Sequence, residues 1–549
     1  MPERESRLPY LILPLAALIA VYPLLFHGCS CGHDFDFHIL SWFEAARQFA
    51  HGNLHPHWAY TPAYNAGEPR FVFYPPISWT IGAILGLILP WTWAPIIYTW
   101  LALTSAGLSL YYLAREFAPS HAALLAASFY LVNPYTLFTA YERTAYAELL
   151  AAAWIPLLLH AILRSDDKGG VTIPRIAIPV ALLWLTDAPA AVMSCYALAL
   201  IAIIRLIQTA PKSNHPDASQ SRTSLALNTS AGTLLGLSLA AFYILPAAYE
   251  RRYVHIAMAI IPGMRIQDNF LFHHMADPDH DLVLHTVSII AVILIALTVA
   301  ALIAAKRATE TRISSALLFT LAALTLTIAF LLTPLSVPLW NHLPELLFLQ
   351  FPWRLLAILA AVLCVAIAIA LASLKIKATP AIILALAIAA TLTAIAYRLF
   401  QQPCDTTDTV AASLALFRSN AGTDPTDEYT PVTADNDSLA PNNPPYWLAL
   451  NPDAKAPSNS TPGPAPTHLT IATPIPQTLI LNLRDYPAWR ITRNGEPVAA
   501  REQRDDGLIA IPLPTGQSQI AIKESQPLDR TVGDILSVIA IILLLFLLT

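Results

Sequence analysis

Long apolar runs recur along this chain, and they constrain its fold more than any other feature. The stretches Leu8 to Phe26, Trp93 to Leu113, Leu284 to Ala305 and Asp534 to Thr549 each approach or exceed the ~17 to 25 residues that cross a bilayer. Composition agrees: 56% of the 549 residues are apolar and only 12% are charged, where soluble domains carry about 25% charge. The chain reads as an α-helical polytopic membrane protein. A net charge of −5, with no Lys/Arg block outside short loops, argues against nucleic acid as a partner. Five cysteines, Cys29, Cys31, Cys195, Cys364 and Cys404, are too few and too scattered to announce a disulfide framework or a zinc site. Cys29 and Cys31 read as inert.

The N-terminal apolar run lacks a small-x-small cleavage site, so it reads as a retained span. Further spans are expected near 93–113, 121–139, 146–163, 173–186, 188–206, 226–246, 284–305, 313–333, 353–373, 379–398 and 533–549, twelve in all. Ile77 to Pro90 has only fourteen residues, a length that suits an interfacial or re-entrant helix. If it does not cross, Arg115, Arg164, Lys168, Arg175, Arg205, Lys212, Arg222, Lys306, Arg307, Arg312, Lys375 and Lys377 all share a side with Arg4 and Arg7. If it crosses, that agreement collapses. The positive-inside rule therefore favours an interfacial 77–90 and two cytoplasmic termini.

On that orientation the long polar loops face outward, and function is to be sought there. A transmembrane region is expected over 1–400, with a first outer loop at 27–76. Residues 401–466, rich in Pro, Asn, Asp, Ser and Thr, read as a loop-rich linker. Residues 467–530 hold short β-patterned runs (HLTIAT, TLILNL, AWRIT, GLIAIPL, QIAIK) with Asn494-Gly495 as a hairpin turn and Pro512/Pro514 suited to an edge. They predict a small extracytoplasmic β-sandwich, with nothing catalytic in it, held by a last span at 533–549.

The first outer loop opens with Asp34, Asp36 and His38. Asp34 is placed to N-cap a helix of about sixteen residues that ends at Gly52, with His38, Trp42 and Ala45 on one face. Carboxylates beside the hydrocarbon boundary are costly and raise a functional hypothesis. Such a pair can bind Mg, Mn or Ca, or take a proton from a hydroxyl; equally, Asp34 can simply cap and Asp36 be solvated. Tyr141, Arg143 and Glu148 flank the emergence of another span, where Arg can hold a lipid phosphate bidentately or anchor at the interface. Arg354 can reach a phosphate headgroup from Gln350-Phe351-Pro352-Trp353-Arg354. Asp187 suits a tight turn. The His/Asp mixture of 248–283 reads as solvated loop more readily than as a metal site. Trp58, Tyr60, Tyr64, Phe71, Phe73 and Tyr74 can stack on sugars or form an interfacial belt.

Gly32-x-Asp34-x-x-x-His38, Gly67-x-Pro69, Phe73-Tyr74-Pro75-Pro76 and Tyr141-x-Arg143-x-x-Tyr146-x-Glu148 resemble the bacterial membrane family labelled "6-pyruvoyl-tetrahydropterin synthase-related". The layout of spans and acidic first loop resembles the GT-C superfamily of polyprenyl-phosphate-sugar glycosyltransferases. The pterin label looks misleading, since no soluble fold with a histidine-zinc site is visible. The resemblance implies a multi-pass enzyme of the bacterial inner membrane. It would transfer a sugar, with inversion, from a polyprenyl-phosphate donor to an extracytoplasmic or lipid-linked acceptor in envelope glycan assembly. Asp34 matches the catalytic first-loop Asp. It would act as base or, with Asp36 and His38, as ligand to Mg or Mn. Arg143 and Arg354 would stabilise the leaving phosphate, and Tyr74, Tyr141 and Glu148 would line the substrate site. A lipid or polysaccharide transporter or scaffold is the alternative. Against a transporter stand spans nearly free of charge and the lack of an evident repeat.

Overall fold

The computed structural model describes residues 7–164, 170–208, 222–308, 315–374, 376–498 and 500–549. Arg4, Lys168, Lys212, Arg312 and Lys375, used above for orientation, lie outside these residues. Among the described residues, nine helices are long and apolar enough to cross a membrane, from α1 (Pro9–His27) to the C-terminal helix Leu528–Leu548. Two further candidates are bent pairs, Arg222–Leu239 with Ala241–Tyr253 (74°) and Ser315–Leu331 with Pro334–His342 (94°). The expected span at 173–186 is the short helix Ile173–Trp184. The twelve expected spans thus correspond to nine long helices, two bent pairs and one short helix. An apolar run shows length in residues but not a bend within it.

The bends survive because other side chains take up the backbone groups they release. At the first, the Phe242 N–H donates to Ser537 Oγ of the C-terminal helix (2.9 Å). At the second, Leu331 O accepts from both Ser336 Oγ and Trp340 Nε1, at 3.0 and 3.1 Å. In a dry environment broken helices are tolerated only where such partners exist.

The first loop holds α2 (Phe35–Ala50), followed by the thirteen-residue apolar helix Pro76–Ile88. His38, Trp42 and Ala45 are all buried, as one face of α2 requires. Gly82 lies against the Trp42 indole, where a Cβ would meet ring atoms at 2.1 Å. Small size at Gly82 therefore lets the two helices pack closely.

Residues 401–440 do not hang free as a linker. They lie across the first loop as a strap: Tyr64 Oη donates to Asp424 Oδ1 (2.7 Å), and Arg70 Nη2 and Glu68 Oε1 both bond Thr426 Oγ1. A disulfide joins Cys31 to Cys404, 373 residues apart. This corrects the reading of Cys31 as inert, and spacing alone could not reveal a bridge over that separation.

The strands form two antiparallel sheets. One has the order β1-β3-β6 (Tyr446–Ala449, Gln477–Arg484, Leu508–Leu513), the other β2-β7-β4-β5 (His468–Thr473, Gly516–Glu524, Trp489–Arg493, Glu496–Pro497). Leu479, Leu481, Ile509 and Ile511 of the first share an apolar core with Ile471, Ile491, Ile520 and Ile522 of the second. Asn494 and Gly495 both have positive φ, 52° and 85°, as a tight hairpin turn demands. Pro512 sits on edge strand β6, where a missing N–H is harmless. Strand β1 falls in the stretch expected to be linker. Its four residues are too short to show alternation.

Candidate active site

The segment before α2 is fixed by backbone contacts to the end of the span Ser120–Arg143. Asp34 N donates to Arg143 O (2.9 Å) and Ser30 Oγ to Tyr141 O (2.5 Å). A Cβ at Gly32 would lie 2.1 Å from Glu142 O, so only glycine permits this approach. That span ends in a π turn, Thr139–Arg143, with Thr144 left-handed at φ 48°. Turns of this kind gather at functional sites, and here it aims Arg143 inward.

Asp34 occupies the N-cap position of α2, yet its side chain makes no capping hydrogen bond. Its Oδ2 lies 3.4 Å from Arg143 Nη2, with 42% of the side chain exposed. Arg143 Nη1 also donates to buried Glu148 (2.6 Å), which accepts from Tyr135 Oη as well (2.5 Å). Arg354 Nε lies 3.4 Å from Glu148 Oε2, close enough to pair electrostatically but without hydrogen-bond alignment. Among the described residues the Arg354 guanidinium makes no hydrogen bond, and its face rests on Phe351.

These groups line a chamber of about 450 Å³ together with His38, Tyr74 and Asp187. His38 Nδ1 bonds Tyr74 Oη (2.7 Å). Burial pulls the imidazole pKa down to about 4, so His38 is neutral near pH 7. Asp187 Oδ2 accepts from Ala190 N (2.8 Å), the turn chemistry expected of it, and it also lines the chamber. Burial raises its carboxyl to about 6, with Arg354 opposing the shift.

Asp34, His38, Tyr74, Arg143, Glu148 and Arg354 are therefore brought together. Two predicted residues are not. Burial, and then the charge of nearby Asp408, raises the Asp36 pKa, and Asp36 does not line the chamber. Residues two apart diverge around the first turn of a helix, so Asp34 lines the chamber and Asp36 does not. Tyr141 donates to Ala20 O of α1 (2.5 Å), a buried brace outside the chamber. Among the described residues the one grouping of three ligand-type side chains is Cys31, Cys404 and Asp408, and its sulfurs are consumed by the disulfide. Among the described residues, no three ligand-type side chains of the chamber gather around a common point.

The sequence also left residues out. Glu428 and Tyr429 enter the chamber wall from the strap, and His280, from the His/Asp mixture of 248–283, enters it from the first turn of Pro278–Ala308. His280 Nε2 bonds Asn269 Oδ1 (2.7 Å). Elsewhere in 248–283, Arg265 pairs with Asp268 at the surface and Arg251 with Glu345. Nothing local in the sequence marks Glu428, because it is the strap's path that brings it here.

No family model and no curated protein matches the chain. Among solved structures, the arabinofuranosyltransferase AftD from mycobacteria is 16% identical with a TM-score of 0.46, covering 73% of this chain and 28% of that one. The Archaeoglobus fulgidus oligosaccharyltransferase in the apo form is also 16% identical, TM-score 0.39, covering 76% and 56%. The same archaeal enzyme, AglB, in complex with an inhibitory peptide and a dolichol-phosphate gives 16%, 0.36, 73% and 57%. This chain spans about a quarter of the mycobacterial protein and little over half of the archaeal one. These TM-scores are too low to assign an activity, which must come from the chain's own residues.

Proposed function

We propose that the protein is a membrane glycosyltransferase that moves a sugar from a polyprenyl-phosphate donor to a hydroxyl acceptor, with Asp34 as general base. The observation that carries this reading is one chamber holding both halves of the chemistry. It contains a partly exposed carboxylate free of capping duty and, at Arg354, a guanidinium without a hydrogen-bond partner among the described residues. A carboxylate accepts a proton from an attacking hydroxyl; a planar cation holds phosphate oxygens.

In the proposed step the acceptor oxygen attacks the anomeric carbon and its proton passes to Asp34. The bond between that carbon and the phosphate oxygen breaks, and the electron pair leaves with the lipid phosphate. Arg143 and Arg354 stabilise the charge that develops there. Single displacement inverts the anomeric centre. His38, neutral and bonded to Tyr74, orders the wall without adding charge. The two sheets with their shared core form the external sandwich in this reading, on the side of the membrane that holds the chamber, and the membrane is the bacterial inner membrane.

The test is transfer of labelled sugar in proteoliposomes by Asp34→Asn. Asp34 makes no capping hydrogen bond and its side chain is partly exposed, so the near-isosteric variant folds, while transfer falls by about two to four orders of magnitude, as for a lost acid-base group. Unchanged transfer by a well-folded variant reduces Asp34 to a structural residue and brings the transporter reading forward.

A further inference from the structure

A second cavity, of about 370 Å³, adjoins the chamber. Its walls are mainly apolar, including Trp184, Val192, Ile244 and Leu349. The two share Phe73, Ala188, Pro189, Gln350, Glu428 and Tyr429, so these residues form the partition between them. Two of the six come from the strap. The Tyr429 ring lies parallel to Phe73 (centroids 5.7 Å apart, 8° between planes) and against Phe37 (6.4 Å), which holds it in place.

The polar ends of both strap residues are left over. Among the described residues, neither the Glu428 carboxylate nor the Tyr429 hydroxyl bonds or pairs with another residue, Glu428 meeting only its own backbone N–H, whereas Asp424, Thr426 and Asp427 beside them do. Asp424 accepts from Tyr64, Thr426 bonds Glu68 and Arg70, and Asp427 accepts from Asn436. A polar group cut off from water when a ligand fills the cavity needs a new partner. Two adjacent ones without any, both at a cavity wall, suit a ligand that brings its own. Burial, and then the nearby Glu68 and Asp427, push the Glu428 carboxyl upward against the opposing effect of its own backbone N–H and Arg70, so a second anion placed at this carboxylate adds to a local excess of negative charge.

We propose that Glu428 and Tyr429 form a saccharide subsite that selects a neutral, hydroxyl-rich acceptor over an acidic one. This deepens the glycosyltransferase reading and rests on it for the word acceptor. The carboxylate accepts from vicinal hydroxyls, and the phenol donates to or accepts from a third. The arginines of the chamber stay with the phosphate. An acceptor carrying a carboxylate of its own meets Glu428 at close range and is rejected by like charge.

Binding tests this without requiring turnover. The full-length protein in nanodiscs is titrated with the neutral disaccharides maltose and cellobiose and with the acidic digalacturonate, followed by saturation-transfer NMR. Wild type is expected to bind at least one neutral disaccharide at least about tenfold more tightly than digalacturonate. Glu428→Gln should weaken the neutral ligand about tenfold, the scale of a hydrogen bond to a charged group, and narrow the preference over digalacturonate. Tyr429→Phe, which keeps the ring and its packing, should weaken neutral binding by a smaller factor. Equal binding by wild type and Glu428→Gln overturns the proposal, as does preference for digalacturonate or absence of saccharide binding. If saccharide binding follows these expectations while Asp34→Asn transfers normally, the subsite stands and the catalytic reading falls. If transfer depends on Asp34 but no saccharide responds to Glu428, the reverse holds.

Discussion

Glu148 compensates two arginines at once, and removing its charge should be felt in stability before chemistry. It accepts from Arg143 and Tyr135 and lies 3.4 Å from Arg354. Breaking a buried pair from one side costs about 3–5 kcal/mol, because the surviving charge is left uncompensated. Glu148→Gln should therefore lower the thermal midpoint in detergent markedly, whereas Asp36→Asn, which faces away from the chamber, should change neither stability nor transfer appreciably. Asp187 supplies a pH signature. Its folded pKa of about 6 lies above the ordinary carboxylate value of about 3.9, so between these values the folded state holds more proton than the unfolded one. Stability from this group is thus present at low pH and lost as pH rises through about 6. Thermal midpoints measured from about pH 4 to 7 should decline less steeply in Asp187→Asn, which preserves the cap. Asp34, Arg143 and Arg354 were legible in the sequence because charge beside a hydrocarbon boundary needs a reason. Glu428 was not, since its surroundings in sequence are an ordinary polar loop.

The strap is the element whose role the sequence hid most completely. Its partners, Cys31, Tyr64, Glu68 and Arg70, lie more than 350 positions upstream, and no local pattern encodes contacts at that range. Apolar runs and the Asn494-Gly495 turn were readable because helix length and hairpin chemistry are local. The Cys31–Cys404 bridge pins the strap three residues before Asp34. Cys31 N also donates to Gln402 O (3.0 Å) and Gln402 N to Ser30 Oγ (2.9 Å). A reductant should then lower both thermal midpoint and transfer in the wild type. Cys404→Ser should show the lowered values without reductant and no further response to it. A wild type indifferent to reductant, with the bridge verified as open by thiol labelling, would show that the hydrogen bonds alone hold the strap.

At the scale of the whole molecule, a buried charge network ties the two sheets to the helices. Arg530, at the start of the C-terminal helix, donates to Glu250 (2.7 Å) and Glu524 (2.6 Å), and Tyr486 donates to Glu250 (2.7 Å). This network puts the strands, the end of Ala241–Glu250 and the start of Leu528–Leu548 at one level of the molecule. The chamber reaches the same side through the first loop, since His57 Nδ1 lies 3.9 Å from Glu524 Oε1. The sidedness proposed for the molecule turns on the short helix Pro76–Ile88. Thirteen residues at 1.5 Å each reach roughly 20 Å, short of the ~30 Å hydrocarbon core. Its Gly82 is also locked to Trp42 of α2, so both ends remain with the first loop. Ala94–Ala114 then spans 21 residues, enough to cross. A reporter fused after Pro90 should accordingly behave as extracytoplasmic and one after Arg115 as cytoplasmic. Should the Pro90 fusion prove cytoplasmic, the short helix crosses after all, and the chamber, strap and strands lose their common side.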